Sequence, residues 1–323
     1  MKSKAYIIGI GNFYNENSDY LHSKYDVIGY CDSNVRGDIN GKKIYKPEEI
    51  ANVRDVKMVI AISDGIKAIE LEKELIMLGI LYNSIEFAAN ESPKMRFGYR
   101  LQVLDENAIR FENEGICCEF KNPCELVGLI DIFVRKSYFF SFPDERSTVV
   151  FDVGMNIGDS VVFFSQMKNV KKIYSWELVE ETYNYGILNI NRYANKNVKI
   201  NCFPYGLADR SQEREIDYYR GATTGISLLD DHNTRVAEGY GVLDSKCKTL
   251  VKCKRCSDEF RTIFDQHDSG VYNFVLKLDC EGAEFSIIDD LQLSGMLSMF
   301  KIVIIEWHYG EKQKIIEKHS CNS

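Results

Sequence analysis

The chain has 323 residues, of which 45% are hydrophobic and 27% charged, an ordinary composition for a soluble globular protein with about two domains. The net charge of -8 disfavours partners such as nucleic acids and anionic membranes, because both need a basic face. No stretch approaches the ~20 apolar residues of a membrane span. The N-terminal apolar run fits a first strand rather than a signal peptide, and the ten cysteines lack regular spacing, which predicts free thiols in the cytoplasm.

Residues 1–92 alternate strand-like and helix-like patterns, which predicts a small Rossmann-like α/β domain. Its first turn contains Gly9 and Gly11, and Asp32 follows 23 residues after Gly9. This is close to a dinucleotide site, in which an acid about 20 positions on holds a ribose. Tyr14 replaces the third glycine, so the turn either binds a nucleotide or sugar nucleotide or serves the architecture only. The segment resembles N-terminal modules of some glycan-biosynthesis proteins through GIG, YCDSN and KPEEI.

Residues 93–146 contain three of the five prolines, which predicts a connector or lid. Within it, residues 108–111 and 116–120 are predicted to pair as a hairpin. Asn122 is predicted to cap a helix that has Pro123 at its first position. The segment either covers a ligand site or is a spacer.

Residues 147–323 are predicted to form a second α/β domain organised around VVFDVGMNIGDS at 149–160. An unbroken apolar run enters a turn with Gly154 and Gly158 and then a helix, which indicates a buried parallel strand followed by a ligand-binding turn. Asp152 at the strand end would repel a pyrophosphate but suits a ligand with an ammonium and a sulfonium group. The stretch therefore favours S-adenosylmethionine over NAD.

The remaining pattern predicts a sheet of five parallel strands with helices between them. A polar excursion at 209–258 interrupts it and contains Cys253 and Cys256. One CxxC pair is weak evidence for zinc, and the alternation through Val251 and Cys253 fits an edge strand better. The further strands are expected at 172–178, 198–203, 274–278 and 302–305, the helices at 181–192 and 283–291, and short β-like pieces at 216–219, 226–229 and 249–253.

Two acids are candidate cofactor ligands. Glu177 ends the second strand 23 residues after Gly154, where a carboxylate can accept both hydroxyls of an adenosine ribose. Asp209 follows the third strand and either contacts the adenine or forms a turn.

Acids and a histidine also follow the fourth and fifth strands, in LKLDCEGAE and EWH. If these strands are neighbours, Asp279, Glu281, Glu306 and His308 converge on one rim. His308 is the candidate general base because its ordinary pKa is near the working pH, with Glu281 as the alternative. The competing interpretations are a structural histidine and helix-capping acids. The same acids could hold a divalent cation, but no metal is predicted; the other histidines, His22, His232, His267 and His319, are assigned no role.

Five motifs follow one another along the chain: FDVGMNIGDS, WELVEETYNYGILNIN, GLADR, LKLDCEGAEFSIIDDL and IIEWH. Together they resemble the FkbM family of methyltransferases over about residues 145–310. The resemblance implies a class I methyltransferase sheet, S-adenosylmethionine as methyl donor, and O-methylation of a hydroxyl on a sugar or natural-product scaffold. It implies cofactor roles for Asp152, Gly154, Asn156, Gly158 and Glu177. Asp279 and Glu281 correspond to the rim that faces cofactor and substrate.

The chain departs from that fold at its C-terminal end, because it stops 15 residues after His308 where a helix and two further strands are expected. The predicted sheet edge is therefore truncated, and it stays open or is covered by a partner or a second copy. One alternative function is a non-catalytic protein that binds a nucleotide or sugar nucleotide in glycan biosynthesis. An oxidoreductase using the N-terminal turn is disfavoured, because no hydride-transfer residues accompany it.

Overall fold

A computed structural model describes residues 2–91, 98–267 and 270–308. The chain divides into two units, Met1–Ile130 and Asp131–Ser323, each described below by itself. The predicted three-part division stays a prediction, and its middle segment contains the boundary between the units. The predicted truncated edge concerns residues 309–323, which lie outside the described residues, as does His319. Among the described residues, no helix is both long and apolar enough to cross a membrane.

The first unit is built on an α/β sheet followed by a hairpin and a helix. Its elements are β1 (Lys4–Ile8), α1 (Asn12–Lys24), β2 (Asp26–Cys31), β3 (Asp38–Ile39), β4 (Lys42–Tyr45), α2 (Pro47–Ile50), β5 (Lys57–Ile60), α3 (Gly65–Met77), β6 (Ile85–Phe87), β7 (Arg100–Asp105), β8 (Ala108–Asn113), β9 (Ile116–Phe120) and α4 (Pro123–Leu129). The sheet has the order β3-β4-β2-β1-β5-β6. Its pairs are parallel except for β3 with β4, which confirms the predicted α/β fold with a mostly parallel sheet.

Local sequence explains these elements. The polar helix α1 buries Phe13, Tyr14, Asn17 and Leu21 on one face, so few apolar residues suffice to attach it to the sheet. The predicted hairpin is confirmed as β8 and β9, which pair antiparallel, and β7 adds a third strand. The predicted start of α4 is also confirmed, because the backbone N–H of Asn122 donates to the Glu125 carboxylate at 2.9 Å in a capping box.

One buried acid in this unit gives a pH-dependent stability. Glu72 on α3 is 2% exposed, and burial raises its pKa to about 7, although the charge of Lys73 lowers it in part. Between about pH 4.5 and 7 the unfolded chain loses this proton first, so stability falls as pH rises. We expect Glu72→Gln to raise the free energy of unfolding by up to roughly 3 kcal/mol at pH 8 and by less than about 1 kcal/mol at pH 5.

Urea denaturation at the two pH values measures this difference. Glu74→Gln is the matched control, because Glu74 is exposed on the same helix and its substitution is expected to change little at either pH. Equal gains for the two variants would contradict the assignment.

The second unit contains a five-stranded sheet and a smaller three-stranded sheet. Its elements are β10 (Ser147–Val153), α5 (Asp159–Ser165), β11 (Val170–Trp176), α6 (Glu180–Tyr193), β12 (Lys199–Phe203), β13 (Gly206–Ala208), β14 (Gln212–Tyr219), α7 (Asp230–Gly239), β15 (Lys246–Arg255), α8 (Cys256–Phe264), β16 (Tyr272–Leu278), α9 (Glu284–Leu293) and β17 (Ile302–Ile305). The larger sheet has the order β12-β11-β10-β16-β17, and every pair is parallel. The five predicted parallel strands are confirmed.

The central strands are buried on both sides, as their unbroken apolar runs predict. Phe151 on β10 is fully buried and its ring contacts those of Phe260, Phe274 and Phe300 at centroid distances of 4.7, 6.1 and 5.1 Å. Because β10 and β16 lie side by side at the centre, the residues that follow them meet at one edge of the sheet.

Two predictions in the polar excursion are wrong. Residues 226–229 do not form a strand, because the Ser227 N–H donates to the Asn233 side chain at 2.7 Å and the chain turns into α7. The segment with Cys253 is no edge strand: β15 is the middle strand of the sheet β13-β15-β14. Cys253 and Cys256 are free and buried.

Candidate active site

The turn after β10 alternates left-handed residues with ordinary ones. Gly154, Asn156 and Gly158 have φ of 87°, 47° and 82°, and Gly158 is the N-cap of α5. A Cβ atom on Gly154 would lie 1.8 Å from the carbonyl oxygen of Asp279, so this position requires glycine. The turn therefore lies against the residues that follow β16.

Asp152, the predicted attractant for a cationic cofactor, lies beneath this turn. Its side chain is 0% exposed, and one oxygen accepts hydrogen bonds from Ser160 at 2.8 Å and Ser175 at 2.6 Å. The other oxygen is 3.3 Å from the Lys277 ammonium. The carboxylate thus belongs to a buried network, and its direct contact with a cofactor stays a prediction.

Lys277 joins the turn to the rim beyond β16. It is 1% exposed, donates to the carbonyl oxygen of Gly154 at 2.5 Å, and lies 3.6 Å from a carboxylate oxygen of Asp279. Burial alone would lower its pKa, but the charges of Asp152 and Asp279 raise the pKa above its ordinary value. In the sequence, Lys277 is visible only as a neighbour of Asp279, Glu281 and Glu284. Its contacts with Asp152 and Gly154 come from another strand and the turn after it.

Glu177 also contacts the turn. Its carboxylate accepts the backbone N–H of Asn156 at 2.8 Å and that of Val179 at 3.0 Å. Burial raises its pKa to about 7, although these N–H donors lower it in part. The side-chain oxygen of Asn156 is buried without a hydrogen-bond partner among the described residues, which leaves one acceptor directed into the turn region.

Asp209 belongs to a different sheet from the turn residues. It is exposed in the turn between β13 and β14, strands of the three-stranded sheet. Its charge acts on Arg255, whose pKa is raised chiefly by the Asp290 hydrogen bond. The predicted adenine contact of Asp209 stays a prediction.

Beyond β16 and β17 the chain forms an acid-histidine cluster, defined here as Asp279, Glu281, Glu284, Glu306 and His308. Nδ1 of His308 is 3.0 Å from Glu284, while Nε2 is 3.3 Å from Glu281, 3.6 Å from Asp279 and 3.8 Å from Glu306. The expected convergence at one rim is therefore confirmed, because β16 and β17 are parallel neighbours.

The charges of the cluster alter its acidities. Burial lowers the pKa of His308, but the hydrogen bond to Glu284 and the charges of Glu281 and Asp279 raise it to about 9. Burial raises the pKa of Glu281, against the opposing effect of two histidines. Burial also raises that of Glu306. With these neighbours, the imidazole of His308 is protonated on both nitrogens and positively charged at neutral pH.

Two residues that the sequence did not single out also reach the cluster. His232 on α7 lies 3.2 Å from the second carboxylate oxygen of Glu281. The buried Tyr138 hydroxyl donates to Asp279 at 2.7 Å and belongs to the segment predicted to be a lid or spacer. Neither has a local motif, since both come from irregular or polar segments far away in sequence.

The family of the chain follows from its sequence match. The model of the methyltransferase FkbM domain matches residues 152–319, just over half of the 323 residues. The chain belongs to the FkbM methyltransferase family. The resemblance stated from the motifs is confirmed, and the family is one of methyltransferases. The matched segment contains the turn, Glu177 and the acid-histidine cluster.

The solved structures that match the chain include three of low identity. Methyltransferase FkbM from Methylobacillus flagellatus KT is 13% identical, with 93% of this chain and 79% of that chain covered and a TM-score of 0.31. A putative transferase from Pyrococcus horikoshii is 10% identical over 58% of this chain and 81% of its own, with a TM-score of 0.23. TYW2 from P. horikoshii, in complex with MeSAdo, is 11% identical over 58% of this chain and 81% of its own, with a TM-score of 0.20. No curated protein matches the chain.

Proposed function

We propose that the protein transfers a methyl group from S-adenosylmethionine to a hydroxyl of a sugar or of a glycan or natural-product precursor. The observation that carries the proposal is that Lys277 contacts both the turn after β10 and Asp279 of the acid-histidine cluster. A cofactor held at the turn would therefore lie beside groups able to bind and deprotonate an acceptor. The class of acceptor rests on the family resemblance.

The residues around the turn fit this cofactor chemically. The carboxylates of Asp152 and Asp279 both lie within 4 Å of the buried Lys277 ammonium, so acids outnumber the lysine at the site, which favours a ligand with ammonium and sulfonium groups. The buried oxygen of Asn156 that lacks a partner can accept an ammonium N–H. Glu177 accepts backbone N–H groups of Asn156 and Val179, and the backbone of Leu178 also acts on it, so these donors do not use all of its roughly four lone-pair sites and capacity remains for ribose hydroxyls.

Bound S-adenosylmethionine would supply a methyl group activated by its sulfonium. The chain's own contribution is to hold the acceptor oxygen in line with that methyl group and to take up the hydroxyl proton. Asp279, Glu281 and His308 are the proposed catalytic residues. Because His308 is already protonated when it is surrounded only by carboxylates, the proton of the hydroxyl would pass to a carboxylate of the cluster, while the imidazolium stabilises the charge that develops.

Calorimetric titration with S-adenosylmethionine tests the cofactor site. We expect Glu177→Gln to weaken binding about 10- to 100-fold, because the amide keeps one acceptor oxygen and loses one charged hydrogen bond, which contributes roughly 1.5–3 kcal/mol. Asp32→Asn is the matched control, since Asp32 holds the equivalent position after β2 and accepts the N–H groups of Asn34 and Val35 within its own turn.

Transfer of labelled methyl groups to a panel of sugars and glycans tests the acceptor class. Absence of S-adenosylmethionine binding by the unaltered protein would sink the proposal. Loss of binding in Asp32→Asn alone would move the site to the first unit and favour the nucleotide-binding alternative.

A further inference from the structure

The imidazole of His308 is fixed in orientation by a buried carboxylate. Glu284 is 0% exposed and lies 3.0 Å from Nδ1 of His308. The same carboxylate accepts the backbone N–H groups of Cys280 at 2.9 Å and Gly282 at 2.8 Å. It therefore holds both the imidazole and the segment that carries Asp279 and Glu281. A carboxylate that orients the second nitrogen of a histidine is the usual support of a metal-binding histidine.

With Nδ1 directed at Glu284, Nε2 is directed at two further carboxylates. It lies 3.3 Å from Glu281 and 3.6 Å from Asp279. In the neutral imidazole with its proton on Nδ1, Nε2 presents a lone pair, and a lone pair between two carboxylates is repelled by both. A proton or a cation is therefore needed among these three atoms.

The distances favour a cation over a proton. A charge-assisted N–H···O hydrogen bond spans about 2.7–2.9 Å, which is shorter than either contact of Nε2. Ligands that each lie about 2.0–2.2 Å from a tetrahedral ion are about 3.3–3.6 Å from one another. One ligand atom from each of Asp279, Glu281 and His308 lies within 4.8 Å of the others, so the three groups are close enough for one ion to contact all of them.

We infer that Asp279, Glu281 and His308 bind one divalent transition-metal cation, Zn²⁺ or Mn²⁺, at the ends of β16 and β17. A set of one imidazole and two carboxylates suits these ions, whereas Ca²⁺ and Mg²⁺ prefer oxygen ligands alone. Glu284 would orient the histidine, and three protein ligands would leave the ion a further position for a substrate oxygen. The sequence predicted no metal, because it showed neither the pairing of β16 with β17 nor the orientation of the imidazole.

The cation deepens the proposed function, on which its catalytic role rests. With the cation in place, an acceptor hydroxyl bound to it would give its proton to Glu306, whose side chain is 54% exposed and lies 3.8 Å from His308. The oxygen then uses its electron pair to form a bond to the methyl carbon, and the pair of the breaking carbon–sulfur bond goes to sulfur. Coordination to a cation lowers the pKa of the hydroxyl and replaces the proton that His308 would otherwise carry.

Equilibrium dialysis of the metal-free full-length protein against Zn²⁺, Mn²⁺, Mg²⁺ and Ca²⁺ in turn, with elemental analysis of the bound ion, tests the inference. We expect one Zn²⁺ or Mn²⁺ per chain and at least tenfold weaker retention of Mg²⁺ and Ca²⁺. His308→Gln and Asp279→Asn are expected to lose the ion, and Glu284→Gln to weaken it 10- to 100-fold, as for other residues that orient a metal ligand. Cys256→Ala, the control for zinc at the cysteine pair, keeps it.

Retention of neither Zn²⁺ nor Mn²⁺ by the unaltered protein would overturn the inference. Loss of the ion in Cys256→Ala but not in His308→Gln also overturns it. Titration of S-adenosylmethionine on the same samples separates the two proposals. Cofactor binding without metal binding would reject the cation and leave the proposed function intact. Metal binding without cofactor binding would reject the proposed function and leave the cation site intact.

Discussion

Lys277→Met is expected to lower the free energy of unfolding of the second unit by about 3–5 kcal/mol, because it leaves the buried Asp152 carboxylate without its cation. Lys277 and Asp152 are 1% and 0% exposed and lie 3.3 Å apart, so water cannot replace the lost partner. The substitution also removes the donor to the Gly154 carbonyl oxygen. Urea denaturation, followed by a signal from the second unit, measures the change.

A double-mutant cycle isolates the ion pair. Lys277→Met combined with Asp152→Asn removes both charges, and we expect the double variant to be more stable than Lys277→Met alone. Lys248→Met is the surface control, since Lys248 and Glu215 form an exposed pair at 2.7 Å of a kind that contributes about 1 kcal/mol or less. If Lys277→Met lowered the free energy of unfolding no more than Lys248→Met does, the buried pair of Lys277 and Asp152 would not stabilise the second unit as we expect.

Gly154→Ala is expected to destabilise the second unit by about 3 kcal/mol or more and to weaken S-adenosylmethionine binding at least tenfold. Two costs combine at this position. The residue has a φ of 87°, and its new Cβ atom would lie 1.8 Å from the carbonyl oxygen of Asp279. The backbone of the turn or of the rim must therefore move.

Gly295→Ala separates these two costs. Gly295 also has a positive φ, 75°, but a Cβ atom there would have no heavy atom within 4 Å. We expect this variant to lose only about 1–2 kcal/mol, the cost of the left-handed conformation, and to bind the cofactor normally. Equal destabilisation and equal binding in the two variants would show that the contact between turn and rim is unimportant.

The two predictions concern one arrangement, in which the turn after β10 and the residues after β16 are held together. Gly154 permits their close approach, and Lys277 neutralises the acids that this approach brings together. Substitution of either residue should therefore affect the cofactor side and the acid-histidine cluster at once. If the cluster functioned independently of the turn, these substitutions would weaken cofactor binding and leave metal binding unchanged.

The sequence was sufficient for the larger fold because burial leaves a direct signature in it. The unbroken apolar runs of β10, β16 and β17 predicted parallel strands covered on both sides, and the order of the motifs predicted the family. Asp279 and His308 were correctly expected to converge, since parallel neighbours end at the same edge of a sheet. The polar excursion was less predictable, because residues 226–229 satisfy their backbone through the Asn233 side chain rather than a neighbouring strand.

By itself, the sequence determined the two α/β folds, the glycine turn and the acids at the strand ends, because hydrophobic periodicity and turn chemistry are local properties. Only the tertiary structure decided that Asp152 is paired with Lys277, that His232 and Tyr138 reach the acid-histidine cluster, and that Glu284 orients His308. These relations depend on distances and orientations between residues far apart in the chain. Electrostatic interactions fall off with separation in space and not along the sequence, so the partners of each charge are settled only when the strands are packed together.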